Sequence, residues 1–344
     1  MDFLLDPYIL AVPELSRGAD PAREYLFSLQ AWAAEVTAGA HKFWLSAPIL
    51  ESLCRVNQYP LYDQVKSLAQ RIKHESKIFD ANTAFRACEP ILVSPPYIDD
   101  KLQNGYAIRV DEATTVIIPD VIANRLHPEV ADALRETLAR VGYAKEKHSQ
   151  ELAVSLLFAT SALEGQDDTV GVEADIYAPD RSNRLKVETD WLLITSPSEL
   201  GEIKKLETFW ANIEQAVNWA YQDLCDCGVL DKEKHKLPNF AVGGRFSQCI
   251  QQQHWDKRPD YLAKVFRTAV KVLTGYWSRG TKKNHELRIS SSNRRQRIRA
   301  RDGATAWRAQ VTRGRLAIRL HYWLTPDGVV ELSTIGPHEN YKIA

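Results

Sequence analysis

The sequence predicts an α/β N-terminal domain, with a mainly parallel sheet and helices, followed by a C-terminal α+β domain. Short apolar strands alternate with amphipathic helices in the N-terminal part, and this order favours a parallel sheet covered by helices. The end of the chain contains one amphipathic helix followed by several strand patterns and a hairpin turn, which is typical of a helix packed on an antiparallel meander.

Hydrophobic periodicity defines the N-terminal elements. Residues 2–12 predict a buried strand that ends near Asp6, and residues 22–38 repeat apolar side chains at helical spacing. The later patterns predict a strand at 41–47, a helix from Pro48, a helix at 61–75, strands within 89–119, helices at 128–140 and 148–163, strands at 168–176 and 191–195, and a helix at 199–224. The segment 148–163 is apolar almost all round, so we expect a buried helix there.

The C-terminal pattern is a helix at 260–277 and then strands. The strands are expected at 286–290, 305–312, 315–324 and 329–335, and Thr-Pro-Asp-Gly at 325–328 predicts a tight turn between the last two. The polar stretch 228–256 predicts a linker, which divides the 344 residues into an acidic domain at 1–227 and a basic domain at 257–344.

The composition does not indicate a membrane protein or a disulfide-stabilised protein. No apolar stretch reaches the ~18 residues of a membrane span, and the N-terminus lacks the basic region of a signal peptide, so we expect a cytoplasmic protein with no membrane partner. The five cysteines are an odd number, and Cys225 and Cys227 are too close together for the usual pair of zinc ligands. No cofactor is therefore expected.

Charge is distributed unevenly along this neutral chain. Residues 279–344 hold 14 basic and 5 acidic residues, a net charge of +9, which leaves −9 on residues 1–278. A concentrated positive charge predicts a polyanion partner, RNA or DNA, while the acidic N-terminal part is suited to a protein partner.

Five arginines crowd one predicted loop between strands. They are Arg294, Arg295, Arg297, Arg299 and Arg301. Arginine forms bidentate contacts with phosphate, so the loop predicts binding to a nucleic-acid backbone.

The strand at 315–324 has two chemically different faces. Side chains alternate along a strand, so its even-numbered apolar residues share one face, which we expect to pack on the helix. The opposite face carries Arg315, Ala317, Arg319, His321 and Trp323. We expect this second face to be exposed, with arginine available for phosphate, tryptophan for base stacking and histidine for proton transfer.

The last residues add further candidates for RNA cleavage without a metal. His321 and His338 are the candidate proton carriers, Arg319 is the candidate that stabilises charge at phosphorus, and Glu339 and Tyr341 follow in the tail. The order of helix, basic meander, Trp307-Arg308, the segment 319–323 and the tail 338–341 resembles the RelE-type toxin ribonucleases over residues 257–344. This resemblance implies metal-independent RNA cleavage, with Arg288, Arg308, Arg315 and Trp323 joining the arginine loop in binding nucleic acid.

The N-terminal part resembles the PIN-type nucleases. Asp6 at the end of the first strand and Glu51 in the helix after the second occupy matching places, which implies a Mg²⁺ or Mn²⁺ site. The segment 192–197 has serine and proline where that family places a further carboxylate.

Three functional hypotheses follow for a nucleic-acid-binding protein. The first is a metal-independent endoribonuclease of toxin or phage-defence type, a setting implied only by the resemblance. The second is a non-catalytic nucleic-acid-binding subunit of a larger defence or nucleic-acid-processing complex. The third is a metal-dependent, PIN-like nuclease. The residues alone leave open whether the chain is an enzyme.

Overall fold

The chain forms two compact units. The computed structural model describes residues 1–14, 19–72, 81–102, 108–148, 156–160, 168–177, 184–314, 317–338, 340 and 343. One unit comprises Met1–Leu163 with Thr169–Glu199, and the other comprises Glu164–Asp168 with Leu200–Ala344. Within the described residues, no helix has the length and apolar character needed to traverse a bilayer.

The N-terminal unit alternates strands and helices along the chain. Its strands are β1 (Asp2–Leu5), β2 (Lys42–Trp44), β3 (Arg109–Val110), β4 (Val116–Ile118), β5 (Leu156–Ala159), β6 (Thr169–Tyr177) and β7 (Arg184–Ile194). Its helices are α1 (Pro7–Leu10), α2 (Ala19–Ala38), α3 (Ala47–Arg55), α4 (Tyr62–Ile72), α5 (Ala81–Val93), α6 (Ile98–Leu102), α7 (Val121–Asn124) and α8 (Pro128–His148).

The sheet of this unit is mostly parallel. The described strands run in the order β2-β1-β5-β7-β6, with β3 and β4 both paired to β6. β2, β1, β5 and β7 pair in parallel, whereas β6 is antiparallel to β7. Helix α2 buries Leu26, Leu29 and Trp32, as its helical repeat predicts. The predicted α/β class with a mainly parallel sheet is confirmed.

Two N-terminal element predictions are wrong. Residues 156–159, expected inside a buried helix, form β5, whose four side chains are all buried. A short run buried on both faces has no period-2 alternation, so the pattern resembles a buried helix. Residues 89–93, expected to be strand-like, instead end helix α5.

The C-terminal unit contains a second, mostly antiparallel sheet. Its strands are β8 (Phe240–Val242), β9 (Asn284–Glu286), β10 (Thr305–Gln310), β11 (Ile318–Leu324) and β12 (Val330–Pro337). Helix α9 (Pro197–Phe209) begins where the N-terminal unit ends, and α10 (Ile213–Asp226), α11 (Phe246–Gln252) and α12 (Pro259–Leu273) follow. The described strands run in the order β8-β12-β11-β10-β9, and only β8 joins in parallel.

Helix α12 lies at the core of this unit. All of its residues are buried, and it packs against α10, β10 and β11. The predicted turn at 325–328 joins β11 to β12, and Gly328 adopts a φ of 89°, a conformation that favours glycine. The predicted α+β character of this part is therefore confirmed.

The boundary between the units differs from the prediction. Residues 228–256, expected to be a linker, contain β8 and α11, and β8 pairs with β12 inside the second sheet. The predicted helix at 199–224 is two helices, because Asn212 caps the second by accepting a hydrogen bond from the Gln215 N–H (3.1 Å). Residues 200–344 carry a net charge of +11, and Glu164–Asp168 adds −3, so the C-terminal unit has a net charge of +8 and the N-terminal unit −8.

Candidate nucleic-acid interface

The arginine-rich segment between β9 and β10 is an irregular hairpin, called here the arginine lobe (residues 287–304). Isolated bridges pair Arg288 with Gln296 and Ile298 with Thr305. The Ile289 N–H donates to the Arg295 carbonyl (3.1 Å), and the Ser290 hydroxyl accepts from the Asn293 N–H (3.0 Å) at the tip. These contacts order the backbone that carries the arginines.

Two arginines of the lobe are held by carboxylates. Arg299 pairs with Asp302 (2.6 Å) and Glu331 (2.8 Å), and its guanidinium lies 5.0 Å from the centre of the Trp323 ring. These hydrogen bonds raise the pKa of Arg299 further. Arg301 lies 3.8 Å from each of the same carboxylates. Both charges are partly neutralised within the protein, so they contribute less to a field that attracts an anion.

Three other arginines present unneutralised charge. Arg288, Arg294 and Arg295 are exposed, and none has an acidic partner among the described residues. Ile298 beside them has 63% of its surface exposed, which adds an apolar contact area. This part of the lobe, called here the cationic tip (Arg288, Arg294 and Arg295), is the surface in the described C-terminal unit that best matches a polyanion.

Arg297 is directed to the backbone. It is partly buried, and its Nη2 donates to the Ile289 carbonyl (3.1 Å). Its Nε finds no hydrogen-bond partner within the described part of the chain. Arg297 therefore supports the shape of the lobe as well as its charge.

A polar row crosses the sheet beside the lobe, formed by His285, Arg308, His321 and Thr334 on four neighbouring strands. The Arg308 Nε donates to Nδ1 of His285 (3.3 Å), and its Nη1 donates to the His338 carbonyl (3.1 Å). Nδ1 of His321 lies 3.2 Å from the Thr334 hydroxyl oxygen. Sequence patterns do not single out His285, because its pairing with Arg308 exists only in the folded register.

The expected exposure of the 315–324 face is wrong for three residues. Ala317 is 8% exposed, His321 is 0% exposed and Trp323 is 3% exposed. Trp323 packs against Leu287, Ala304 and Ala306, with Ile343 adjoining this cluster. Burial along β11 does not alternate, because residues outside the strand also cover the second face. Trp323 is therefore not available to stack on a base.

Among the predicted catalytic groups that the structure describes, Arg319 and His338 do not form an open site with His321. Arg319 is partly buried, and its Nη1 donates to the carbonyls of Thr312 (2.8 Å) and Ile318 (3.0 Å). Arg308, predicted to bind nucleic acid, is buried in the polar row. His338 lies near His321, and its N–H donates to the Ala317 carbonyl (2.7 Å). Arg315, Glu339 and Tyr341 lie outside the described residues.

Both histidines of the row favour the neutral state. Burial, followed by the charges of Arg308, Arg319 and His338, lowers the pKa of His321 to about 3. Burial and Arg308 also lower the pKa of His285. The His285 Nδ1 lies 3.3 Å from the Arg308 Nε, which can only donate, and 3.2 Å from the Glu286 carbonyl oxygen, which can only accept. The two contacts favour opposite tautomers, and both engage Nδ1.

Acid should destabilise the protein through His321. Between a folded pKa of about 3 and the ordinary value of ~6.5, the unfolded chain binds a proton that the folded chain does not, so stability falls as pH falls. At about pH 4.5 the free energy of unfolding should be lower than at neutral pH by roughly 2–3 kcal/mol. Urea unfolding at both pH values measures it.

His321→Gln should remove this part of the pH dependence, because glutamine does not titrate. Exposed His127 provides the matched control, and His127→Gln should retain the full acid effect. An unchanged pH dependence in His321→Gln would contradict the assignment.

Asp6 ends strand β1, and its carboxylate is buried against a cation. Arg125 and Thr160 both donate to Asp6 Oδ2, while Oδ1 accepts from the Tyr8 N–H (2.9 Å). The Arg125 guanidinium also lies 4.0 Å from the centre of the Tyr8 ring. The Arg125 guanidinium thus contacts the same carboxylate oxygen that a divalent cation would need to bind.

Glu51 lies apart from this pair. It is exposed on α3 and lines a different cavity with Asp99, Glu136 and Arg140. Among the described residues, neither Asp6 nor Glu51 belongs to a group of three candidate metal ligands. The predicted pair of metal-binding carboxylates is therefore not assembled here.

No protein-family model, curated protein or solved structure matches this chain.

Proposed function

We propose that the C-terminal unit binds the phosphate backbone of RNA and DNA through the cationic tip. The observation that carries this proposal is the exposure of Arg288, Arg294 and Arg295 without acidic partners in the described structure. The charge of +8 on the whole unit would draw a polyanion toward this surface. The exposed Ile298 would supply a contact for sugar or base surfaces.

Binding is better supported than cleavage. RNA cleavage needs a proton acceptor and a donor within reach of the substrate. His321 is buried and neutral, and Arg319 is engaged with backbone carbonyls. His285 is partly exposed, but its Nδ1 is already engaged by the Arg308 Nε and the Glu286 carbonyl oxygen. These contacts favour the non-catalytic hypothesis over the ribonuclease.

Fluorescence anisotropy with labelled single-stranded RNA and DNA of equal length tests the proposal. For wild type, affinity should fall steeply from low to physiological salt, since bound arginines release counterions. Replacing Arg288, Arg294 and Arg295 together with serine should weaken binding roughly 100-fold at low salt and reduce the salt slope by about 2–3.

A matched control separates this surface from net charge. Lys204, Lys236 and Lys257 are exposed in the same unit outside the lobe, and changing them to serine removes the same charge. This variant should keep most of its affinity. Equal losses in both triple variants, or an affinity independent of salt, would contradict the proposal. RNA cleavage that persists in EDTA and is lost in His338→Ala would instead support the ribonuclease hypothesis.

A further inference from the structure

A separate cleft lies at the carboxyl edge of the parallel sheet in the N-terminal unit. The chain leaves β1 toward β2 on one side, while β5 pairs on the other side of β1, so β1 and β5 flank a topological switch point. Ligands of open α/β sheets bind outside the carboxyl ends of the strands at such points. Asp6, directly after β1, and Thr160, directly after β5, meet here by a hydrogen bond.

The cleft has the size and composition of a small-molecule site. Its volume is about 620 Å³, within the range of ligand pockets. Aromatic side chains form much of its wall, including Tyr8 and the largely exposed Phe27. Thr195 and Ser196, which follow β7, also reach it. The cleft thus combines ring surfaces with a small number of polar groups.

Two polar atoms of the lining have unmet hydrogen-bonding capacity. Gln58 Oε1 and Arg125 Nε are buried, and neither has a partner within the described part of the chain. Leaving such atoms unpaired is unfavourable, and a ligand with a matching donor or acceptor would satisfy them. Turned into the cleft, the Gln58 Oε1 would accept from an amino group.

The charge of the cleft selects against anions. The exposed Glu24 lines it, while the only lining cation among the described residues, Arg125, is already paired with Asp6. A phosphate would therefore meet the Glu24 carboxylate and a cation that is already neutralised. The Glu24 carboxylate is exposed on α2 and can only accept hydrogen bonds, which again favours an amino donor.

We propose that this cleft binds an uncharged planar ring bearing an amino group, the chemistry of an adenine or cytosine nucleoside. The aromatic wall contacts the ring, and Gln58 and Glu24 accept from its amino group. The site is independent of the cationic tip and takes a free small molecule.

Isothermal titration calorimetry of the full chain tests this assignment with adenosine, cytidine, uridine and adenosine monophosphate. Adenosine and cytidine should bind saturably and about tenfold or more tighter than uridine, which lacks the exocyclic amino group. At low ionic strength the monophosphate should bind about tenfold more weakly than adenosine, because its charge opposes that of the cleft.

Glu24→Gln and Glu35→Gln form a matched pair on helix α2, since Glu35 does not line the cleft. Glu24→Gln should lower the affinity for adenosine about tenfold and reduce the ratio between the affinities for adenosine and for the monophosphate. Glu35→Gln should change neither the affinity nor this ratio. Absence of saturable adenosine binding at millimolar concentration, monophosphate binding as tight as adenosine, or equal behaviour of the two variants would each overturn the proposal.

Discussion

Replacing Arg267 with methionine is expected to destabilise the protein by about 3–5 kcal/mol. Arg267 is 1% exposed on α12, and its Nε donates to Asp223 Oδ2 (2.7 Å). Its Nη1 lies 3.8 Å from Asp168, which also pairs with Lys271. Methionine restores part of the volume but removes the guanidinium that lies next to both the Asp223 and the Asp168 carboxylates, and breaking a buried ion pair is strongly unfavourable.

Urea unfolding monitored by circular dichroism measures this loss. Lys205→Met provides the control, because its pair with Glu202 is solvent-exposed and should contribute less than ~1 kcal/mol. Adding Asp223→Asn to Arg267→Met should recover part of the stability by removing the negative charge that Arg267 neutralises. A loss in Arg267→Met no larger than in the control would show that the network does not stabilise the fold.

Asp6→Asn is expected to lower stability by about 3 kcal/mol, the second large effect. Asparagine keeps the shape and the acceptor for the Tyr8 N–H, but it leaves the Arg125 guanidinium without its carboxylate. Asp20→Asn is the control, because Asp20 pairs with Arg23 at the surface and should matter little.

The same variant separates an ion pair from a metal site. Thermal unfolding of the wild type should show the same midpoint with and without Mg²⁺ or Mn²⁺, because Arg125 already neutralises Asp6. A metal-dependent rise in the midpoint that disappears in Asp6→Asn would contradict this interpretation and favour the PIN-like hypothesis.

The elements that sequence predicts best are those whose pattern has a clear period. The turn from β11 into β12 and the helical repeat of α2 are both local, and each appears as expected. The strand β5 is missed because four consecutive apolar residues fit a buried helix equally well. Alternation also separates the two faces of β11 without indicating what covers them, which is why Trp323 was expected at the surface.

Counting charges along the sequence locates arginines but does not show which of them are paired with a carboxylate. Such counts identify the arginine lobe, but the partners that distinguish its arginines are distant in sequence. Arg299 binds Glu331, whereas Arg294 and Arg295 in the same run meet no carboxylate in the described structure. Asp6 is placed correctly at a strand end, yet its partner Arg125 lies far along the chain, so composition and spacing suggest a metal ligand where the fold forms an ion pair.

The short segment Glu164–Asp168 has a consequence for how the protein can be divided. Its described residue, Asp168, belongs to the C-terminal unit, whereas Thr169–Glu199 directly after it belongs to the N-terminal unit. A fragment starting at residue 200 would lack Asp168 and leave Lys271 buried without its carboxylate. One starting at 257 would also lose β8, which borders β12, and the helix that packs against α12. Truncation at any single position therefore removes residues from at least one of the two units. We expect the full chain to be needed for both units to fold.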